Sequence, residues 1–290
     1  MKVTNNNNLP QAVVDAVKAT EYDKGEAKYS ITELLSPPRI AALRHKHDGD
    51  LTEDASDRIW SLVGRIGHGL LEKANRNDLV EKRFYMNIEG EIVGGKFDSY
   101  TYTSQILTDF KFVTAWKFKD GLPLEYEQQL NLYGLLLSEN NLPVQEMQIV
   151  AILRDWSKQE ARRNKEYPQS QAIVRRVPAW PKEKTLAFLK ERVALHKQAR
   201  EAVERGEEPS LCTNEERWLK PTVFAVTKKG ASRALRLLPS YQEAVDWVAK
   251  NPPGGQVEIV ERKGENTRCI SYCPVSSFCK WWQNHPDRIM

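Results

Sequence analysis

Two carboxylates and one ammonium group are predicted to meet at one place in this chain. Asp98 lies near the end of one predicted strand in the stretch GGKFDSYTYTSQILTDFK, and Asp109 and Lys111 lie on the next. Side chains alternate along a strand, so Asp109 and Lys111 share a face whereas Phe110 is expected to turn into the core. Like charges placed together are costly unless a cation joins them, and a divalent metal ion is the usual remedy. A lysine beside such an ion can hold a nucleophilic water and offset charge building on a phosphate.

Three predicted elements must position these groups. Residues 94–111 form a hairpin that turns at residues 101–104. Residues 56–73 form a helix with His68 at the edge of its apolar stripe, and residues 124–137 form a second helix that carries Gln129 and Tyr133 on one face. The stripe of the first helix consists of Ile59, Leu62, Val63, Ile66, Leu70 and Leu71.

The order of these residues resembles the PD-(D/E)xK nuclease superfamily, and in particular its RecB-like branch, which includes CRISPR-associated exonucleases. The resemblance rests on Gly95-x-x-Asp98 followed by Asp109-x-Lys111, on His68 in a G-x-x-x-H-x-x-x-E context, and on Gln129-x-x-x-Tyr133. The segment around Ser36 resembles the first motif of the branch, with serine where iron–sulfur members have a cysteine.

The resemblance implies a restriction-endonuclease-like core and a metal-dependent DNA exonuclease, cellular or phage-encoded, that works in DNA recombination, repair or phage DNA metabolism. His68, Asp98, Asp109 and the Phe110 carbonyl would bind one or two Mg²⁺ or Mn²⁺ ions, and Lys111 would position the attacking water. Gln129 and Tyr133 would contact the DNA backbone and brace the lysine. A recombinase, a single-strand annealing protein or a helicase is a possible partner. The alternative is a non-catalytic nucleic-acid-binding or assembly subunit that keeps the fold and a structural metal site.

Four cysteines form a second candidate site, with three of them close together near the C-terminus. Cys269, Cys273 and Cys279 have C-x3-C-x5-C spacing, and Cys212 is the remaining thiol of the chain. Such clustering in a chain of this size suggests a metal centre, and both Zn²⁺ and a 4Fe–4S cluster accept four thiolates. The resemblance favours the 4Fe–4S cluster, because RecB-like relatives carry one with a distant cysteine and three near the C-terminus.

Length and composition indicate a globular protein that is long enough for one large core or for a core with a small appended domain. The chain has 290 residues, of which 40% are hydrophobic and 28% charged, and a net charge of +4 that permits nucleic-acid binding. We expect an N-terminal arm at residues 1–25, a nuclease core at 26–208 and a cysteine-bound metal segment at 209–290. The alternation of helices and strands predicts the α/β class with a mixed central sheet flanked by helices. No apolar run is long enough for a membrane span and no secretory signal is evident, so a cytoplasmic location is expected, in the host cell if the protein is phage-encoded.

Overall fold

The computed structural model describes residues 1–19, 24–74 and 78–288, which divide into two compact units, Met1–Gly206 and Glu207–Met290. The strands of the first unit are β1 Lys2–Thr4, β2 Tyr29–Ser30, β3 Thr52–Asp54, β4 Leu79–Val80, β5 Arg83–Ile88, β6 Glu91–Lys96, β7 Ser99–Thr101, β8 Ile106–Val113, β9 Glu146–Leu153 and β10 Ala172–Arg176. Its helices are α1 Gln11–Lys18, α2 Ile31–Leu34, α3 Pro38–Lys46, α4 Ile59–Ala74, α5 Leu124–Glu139, α6 Lys158–Arg163 and α7 Lys182–Glu204.

The central sheet has five strands in the order β10-β9-β8-β7-β4. The β8–β9 pair is parallel and the other pairs are antiparallel, so the sheet is mixed, as the sequence predicted. Strand β9 buries every second residue, and Ile149 and Ala151 lie beside Asp109 and Lys111 of β8. Residues paired in this way share a sheet face, so Asp109 lies on the face that carries the core.

The predicted hairpin around the acidic residues differs from the observed one. Strand β8 pairs with β7, and Asp98 lies between β6 and β7, outside both strands. Strand β6 belongs to a separate sheet of order β2-β6-β5. The chain passes from one sheet to the other at residues 97–98, which a pattern of alternating side chains cannot reveal.

The β5–β6 turn matches the prediction at Glu89 and Gly90. Both residues have positive φ angles, of 52° and 87°. A two-residue hairpin turn with positive φ at both positions suits the right-handed twist of the flanking strands. The turn therefore sets the register in which Phe84 pairs with Gly95.

Helices α5 and α4 are covered to very different degrees. Helix α5 buries nine of its residues, among them Leu130 and Leu136 of the main core. Helix α4 contains no fully buried residue, and Val63, Ile66 and Leu70 of its predicted apolar stripe are exposed. The spacing of the stripe therefore predicts the helix but not how far it is buried.

The first 18 residues pack against the rest of the first unit, whereas the sequence predicted a loosely held arm. Strand β1 pairs in parallel with β3, and Val14 and Val17 of α1 pack against Ala55 in a small apolar cluster. A strand pair and buried apolar surface both hold a terminus in place. Residues 20–23 of the predicted arm lie outside the described residues.

The second unit contains strands β11 Leu219–Lys220, β12 Val223–Lys228, β13 Ala234–Leu238, β14 Val257–Arg262 and β15 Glu265–Asn266, with helices α8 Tyr241–Lys250, α9 Thr267–Ser271 and α10 Lys280–Gln283. The order β13-β12-β14 makes an antiparallel sheet with α8 against it. The sequence predicts a β-α-β unit here, from a strand at 223–227, a helix at 241–250 and a strand at 256–260, and this prediction omits the short strand β13. None of the helices in the described ranges combines the length and the apolarity that crossing a bilayer requires.

Candidate active site

Asp109, Lys111 and Gln129 form a closed triangle of polar contacts beneath α5. Lys111 Nζ lies 2.7 Å from Asp109 Oδ2 and donates a hydrogen bond to Gln129 Oε1 at 3.0 Å. Gln129 Nε2 in turn donates to Asp109 Oδ1 at 3.3 Å. An ammonium can only donate and a carboxylate can only accept, so the Gln129 amide orientation is determined by its two partners. Gln129 therefore contacts both the ammonium group of Lys111 and the carboxylate of Asp109.

Asp109 is buried almost completely, with 2% of its surface exposed. Burial raises the pKa of its carboxyl group, Lys111 opposes that rise, and the charge of Asp98 adds to it. Its Oδ2 atom lies 2.7 Å from Lys111 Nζ, so the buried carboxylate is paired with the ammonium group. A buried carboxylate in such a cluster can also serve as a ligand for a divalent cation.

Asp98 connects His68 to the central sheet. Its Oδ2 atom accepts a 2.7 Å hydrogen bond from the backbone N–H of Phe110, and its Oδ1 atom lies 3.3 Å from His68 Nδ1. The hydrogen bond to Asp98 is the main reason that the pKa of His68 is raised, and burial partly opposes it. The electrostatic effects of His68 and Asp98 reach Asp109 as well, so the four charged groups form one site.

Glu81 joins this site, although the sequence analysis did not single it out. One ligand atom each from His68, Glu81 and Asp98 lie within 4.8 Å of one another, the one such group of three in the described ranges. The Glu81 N–H donates to the Asp98 carbonyl at 3.2 Å, and its carboxylate pairs with Lys96. Its φ of 50° is unusual for a residue with a side chain and is typical of functional sites. No motif carried this signal, because Glu81 stands between two short strands.

The donor set suits a hard or borderline divalent cation. Three carboxylates and one imidazole are the ligands that Mg²⁺ and Mn²⁺ accept, and the imidazole favours Mn²⁺ over Mg²⁺. A cation bound here would favour the neutral form of His68 and the ionised form of Asp109. The residues present therefore fit the predicted metal ion.

The other predicted site residues lie at different depths. Tyr133 is 3% exposed, and its ring lies so close to Gly95 that a Cβ atom there would be 2.8 Å from Cε1. A ring buried to this extent suits packing beneath Gly95 and leaves little surface for a DNA phosphate. Phe110 is half-buried and Asp109 is buried, the reverse of the predicted facing, because the main core, with Ile149 and Ala151 of β9, lies on the Asp109 side of the sheet.

Gly67 sets the distance between α4 and β8. A Cβ atom at this position would lie 2.1 Å from Cζ of Phe112, and the Phe112 ring is in turn 5.6 Å from the His68 ring. Gly69, two residues along the same helix, has open space around it. The two glycines therefore provide a matched pair for testing how α4 is seated.

We expect Gly67→Ala to destabilise the protein by about 1–3 kcal/mol, because the new methyl group overlaps a packed ring. Gly69→Ala should be neutral or stabilising by up to about 1 kcal/mol, since alanine is the better helix former. Denaturant unfolding of both variants measures the difference. Equal stabilities of the Gly67→Ala and Gly69→Ala variants would contradict the observed packing of α4 against Phe112.

Three of the four cysteines of the second unit act on one another electrostatically. Burial, together with the nearby Cys273 and Cys279, raises the pKa of the Cys269 thiol to about 11. Arg217 opposes this rise and donates from Nη1 to the Cys212 carbonyl at 2.8 Å, which places Cys212 beside the same arginine. Thiols that disfavour one another's ionisation are stabilised as thiolates by a shared metal centre.

The chain was also compared with known proteins. No protein-family model matches the sequence, and no curated protein does. Among solved structures, the crystal structure of SSO0001 aligns at 17% identity and a TM-score of 0.45 over 63% of this chain and 84% of that one. A candidate exonuclease from Eubacterium rectale aligns at 16% identity and a TM-score of 0.32 over 66% of this chain and 64% of that one, so the match spans less than two thirds of that protein.

Proposed function

We propose that this protein is a metal-dependent DNA exonuclease. The observation that carries the proposal is the convergence of Asp98, Asp109 and Lys111, with His68 and Gln129 in direct contact with them. Two carboxylates, an imidazole and a lysine held by an amide are the groups that metal-assisted phosphodiester hydrolysis needs at one place. The order of the same residues along the chain resembles the RecB-like nucleases.

Each side chain has a role that follows from its surroundings. His68, Glu81, Asp98 and Asp109 would hold one or two Mg²⁺ or Mn²⁺ ions, and the Phe110 carbonyl is the remaining proposed ligand. A bound ion supplies Lewis acidity toward the phosphate. Lys111 orients the attacking water and offsets the charge that develops on the phosphate oxygens. Gln129 keeps the Lys111 ammonium pointed at the site through its 3.0 Å hydrogen bond.

We further propose that Cys212, Cys269, Cys273 and Cys279 bind a 4Fe–4S cluster that holds the second unit together. The effect of Cys273 and Cys279 on the pKa of Cys269 supports one shared metal centre, and the resemblance to RecB-like nucleases favours the cluster over zinc. The proposed setting is DNA recombination, repair or phage DNA metabolism in the cytoplasm. A recombinase, a single-strand annealing protein or a helicase is the proposed kind of partner.

The activity is tested by incubating purified protein with end-labelled linear DNA and with covalently closed circular DNA. We expect Mn²⁺ to support release of nucleotides from the linear DNA only, and a chelator to stop it. Cleavage of the circular DNA at the same rate as the linear DNA would show that the activity is endonucleolytic and not exonucleolytic. Binding of DNA without cleavage in either Mn²⁺ or Mg²⁺ would support the non-catalytic subunit.

A further inference from the structure

Two tryptophan side chains of the first unit are exposed to an unusual degree. Trp60, in the first turn of α4, is 59% exposed, and Trp116, in the short helix Ala115–Phe118 after β8, is 60% exposed. Large aromatic rings are usually buried in proteins, because each contributes substantial apolar surface. Two such rings left in solvent suggest a binding role.

Each of the two rings has a cation over its face. The guanidinium carbon of Arg154 lies 4.1 Å from the centroid of the Trp60 ring, and Lys119 Nζ lies 5.6 Å from that of Trp116. Both basic residues are themselves exposed. Aromatic faces combined with cations match the two parts of a nucleotide, since bases stack on rings and phosphates attract cations.

Both rings belong to elements that carry site residues. Trp60 precedes His68 by eight residues on α4, which is about 12 Å along a helix. That distance equals about three base steps of a DNA strand at 3.4 Å per step. Arg154 is tied to the end of β8 by a 3.0 Å hydrogen bond from its N–H to the Val113 carbonyl.

Trp116 lies three residues beyond Val113, the last residue of β8. Its neighbour Lys117 places Nζ over the Tyr126 ring at 5.7 Å, and Lys111 Nζ lies over the same ring at 5.1 Å. The chain therefore runs from the candidate catalytic lysine to the second exposed tryptophan within five residues. Because Arg154, which lies over the Trp60 ring, is hydrogen-bonded to Val113, both tryptophans are linked to the same end of β8.

We propose that Trp60 and Trp116, with Arg154 and Lys119, form a stacking surface for unpaired bases of the DNA strand that enters the site. This inference rests on the proposed function. The faces of bases inside a duplex are already covered by their neighbours, so rings of this kind select single-stranded or splayed ends. Stacking requires no particular base, which suits an enzyme that degrades any sequence.

The test measures binding of a fluorescently labelled 20-nucleotide thymidine oligomer in chelator, where no hydrolysis occurs. We expect Trp60→Ala and Trp116→Ala each to weaken binding about 5- to 100-fold, because stacking is worth about 1–3 kcal/mol per base. Trp→Phe at either position should retain most of the affinity. Tyr102→Ala is the matched control, since Tyr102 is 51% exposed but precedes the opposite end of β8, and its affinity should be unchanged.

Salt dependence separates stacking from attraction by charge. The slope of log affinity against log salt should stay the same in the tryptophan variants and decrease in Arg154→Ala and Lys119→Ala. Binding of both tryptophan-to-alanine variants within twofold of the wild type would overturn the stacking surface, even if the protein cleaves DNA. If the wild-type protein cleaves no DNA but the tryptophan variants still bind the oligomer more weakly, the stacking surface is supported and the proposed nuclease activity is overturned.

Discussion

Lys111→Ala is expected to slow DNA hydrolysis by about 100-fold or more while leaving DNA affinity within a few fold of the wild type. Removing one preorganised electrostatic stabiliser usually costs about 10²–10³ in turnover, or at least about 2.7 kcal/mol of barrier. Lys111 is held by Asp109 and Gln129, so no other cation in this cluster can take its place without moving. Single-turnover cleavage in Mn²⁺, beside binding in chelator, measures the two effects separately.

Loss of rate must be distinguished from loss of fold. Lys111→Ala leaves the buried Asp109 carboxylate without its cation, and breaking a buried pair in this way costs about 3–5 kcal/mol. The double variant Lys111→Ala with Asp109→Asn removes that charge, so it should recover stability without recovering activity.

Lys117→Ala provides the matched control for the lysine. Lys117 lies over the same Tyr126 ring but pairs with Glu125 at 2.8 Å, away from the carboxylates of the site. Its replacement should change turnover only a few fold. Retention of more than about a tenth of wild-type turnover by Lys111→Ala would contradict the assigned role.

Cys273→Ala is expected to remove the metal centre and to unfold the second unit. Anaerobically purified wild-type protein should be brown, with the broad absorbance near about 400 nm that such clusters show, and the variant should be colourless. The second unit contains few fully buried apolar residues, among them Ala225, Val226 and Ala244. A small unit with so little core usually depends on a metal or another cross-link for its stability.

Limited proteolysis and elemental analysis measure the two parts of this expectation. The variant should be cut within residues 209–290 under conditions in which the wild type resists, and it should contain no iron. Ser271→Ala is a suitable control, because it lies between Cys269 and Cys273 and offers no thiol. Colourless wild-type protein with one zinc per chain would exclude the cluster but keep a metal at this position. Wild-type protein without any metal would exclude both.

Much of the first unit could be read from local patterns. Turn residues, apolar spacing and strand-like composition predict the turn at Glu89 and Gly90, a helix at 124–137 and strands at 144–154 and 172–177, and the β5–β6 turn, α5, β9 and β10 lie within a few residues of these ranges. Ser30 and Thr32 are both N-cap candidates in the sequence, and Ser30 takes that position, with its side chain accepting from the Glu33 N–H. These features depend on interactions within a few residues of the chain, which is why the sequence reveals them.

The sequence by itself determined which groups could do chemistry: Asp98, Asp109, Lys111, His68 and Gln129, in an order and with spacings that point to one site. Only the tertiary structure decided that Asp98 sits at the crossing between two sheets, that Asp109 and not Phe110 is buried, and that Glu81 joins the group. The reason is that strand partners and helix cover come from contacts between residues distant in sequence. Alternation along a strand defines two faces, but the elements packed on each face determine which of them is buried.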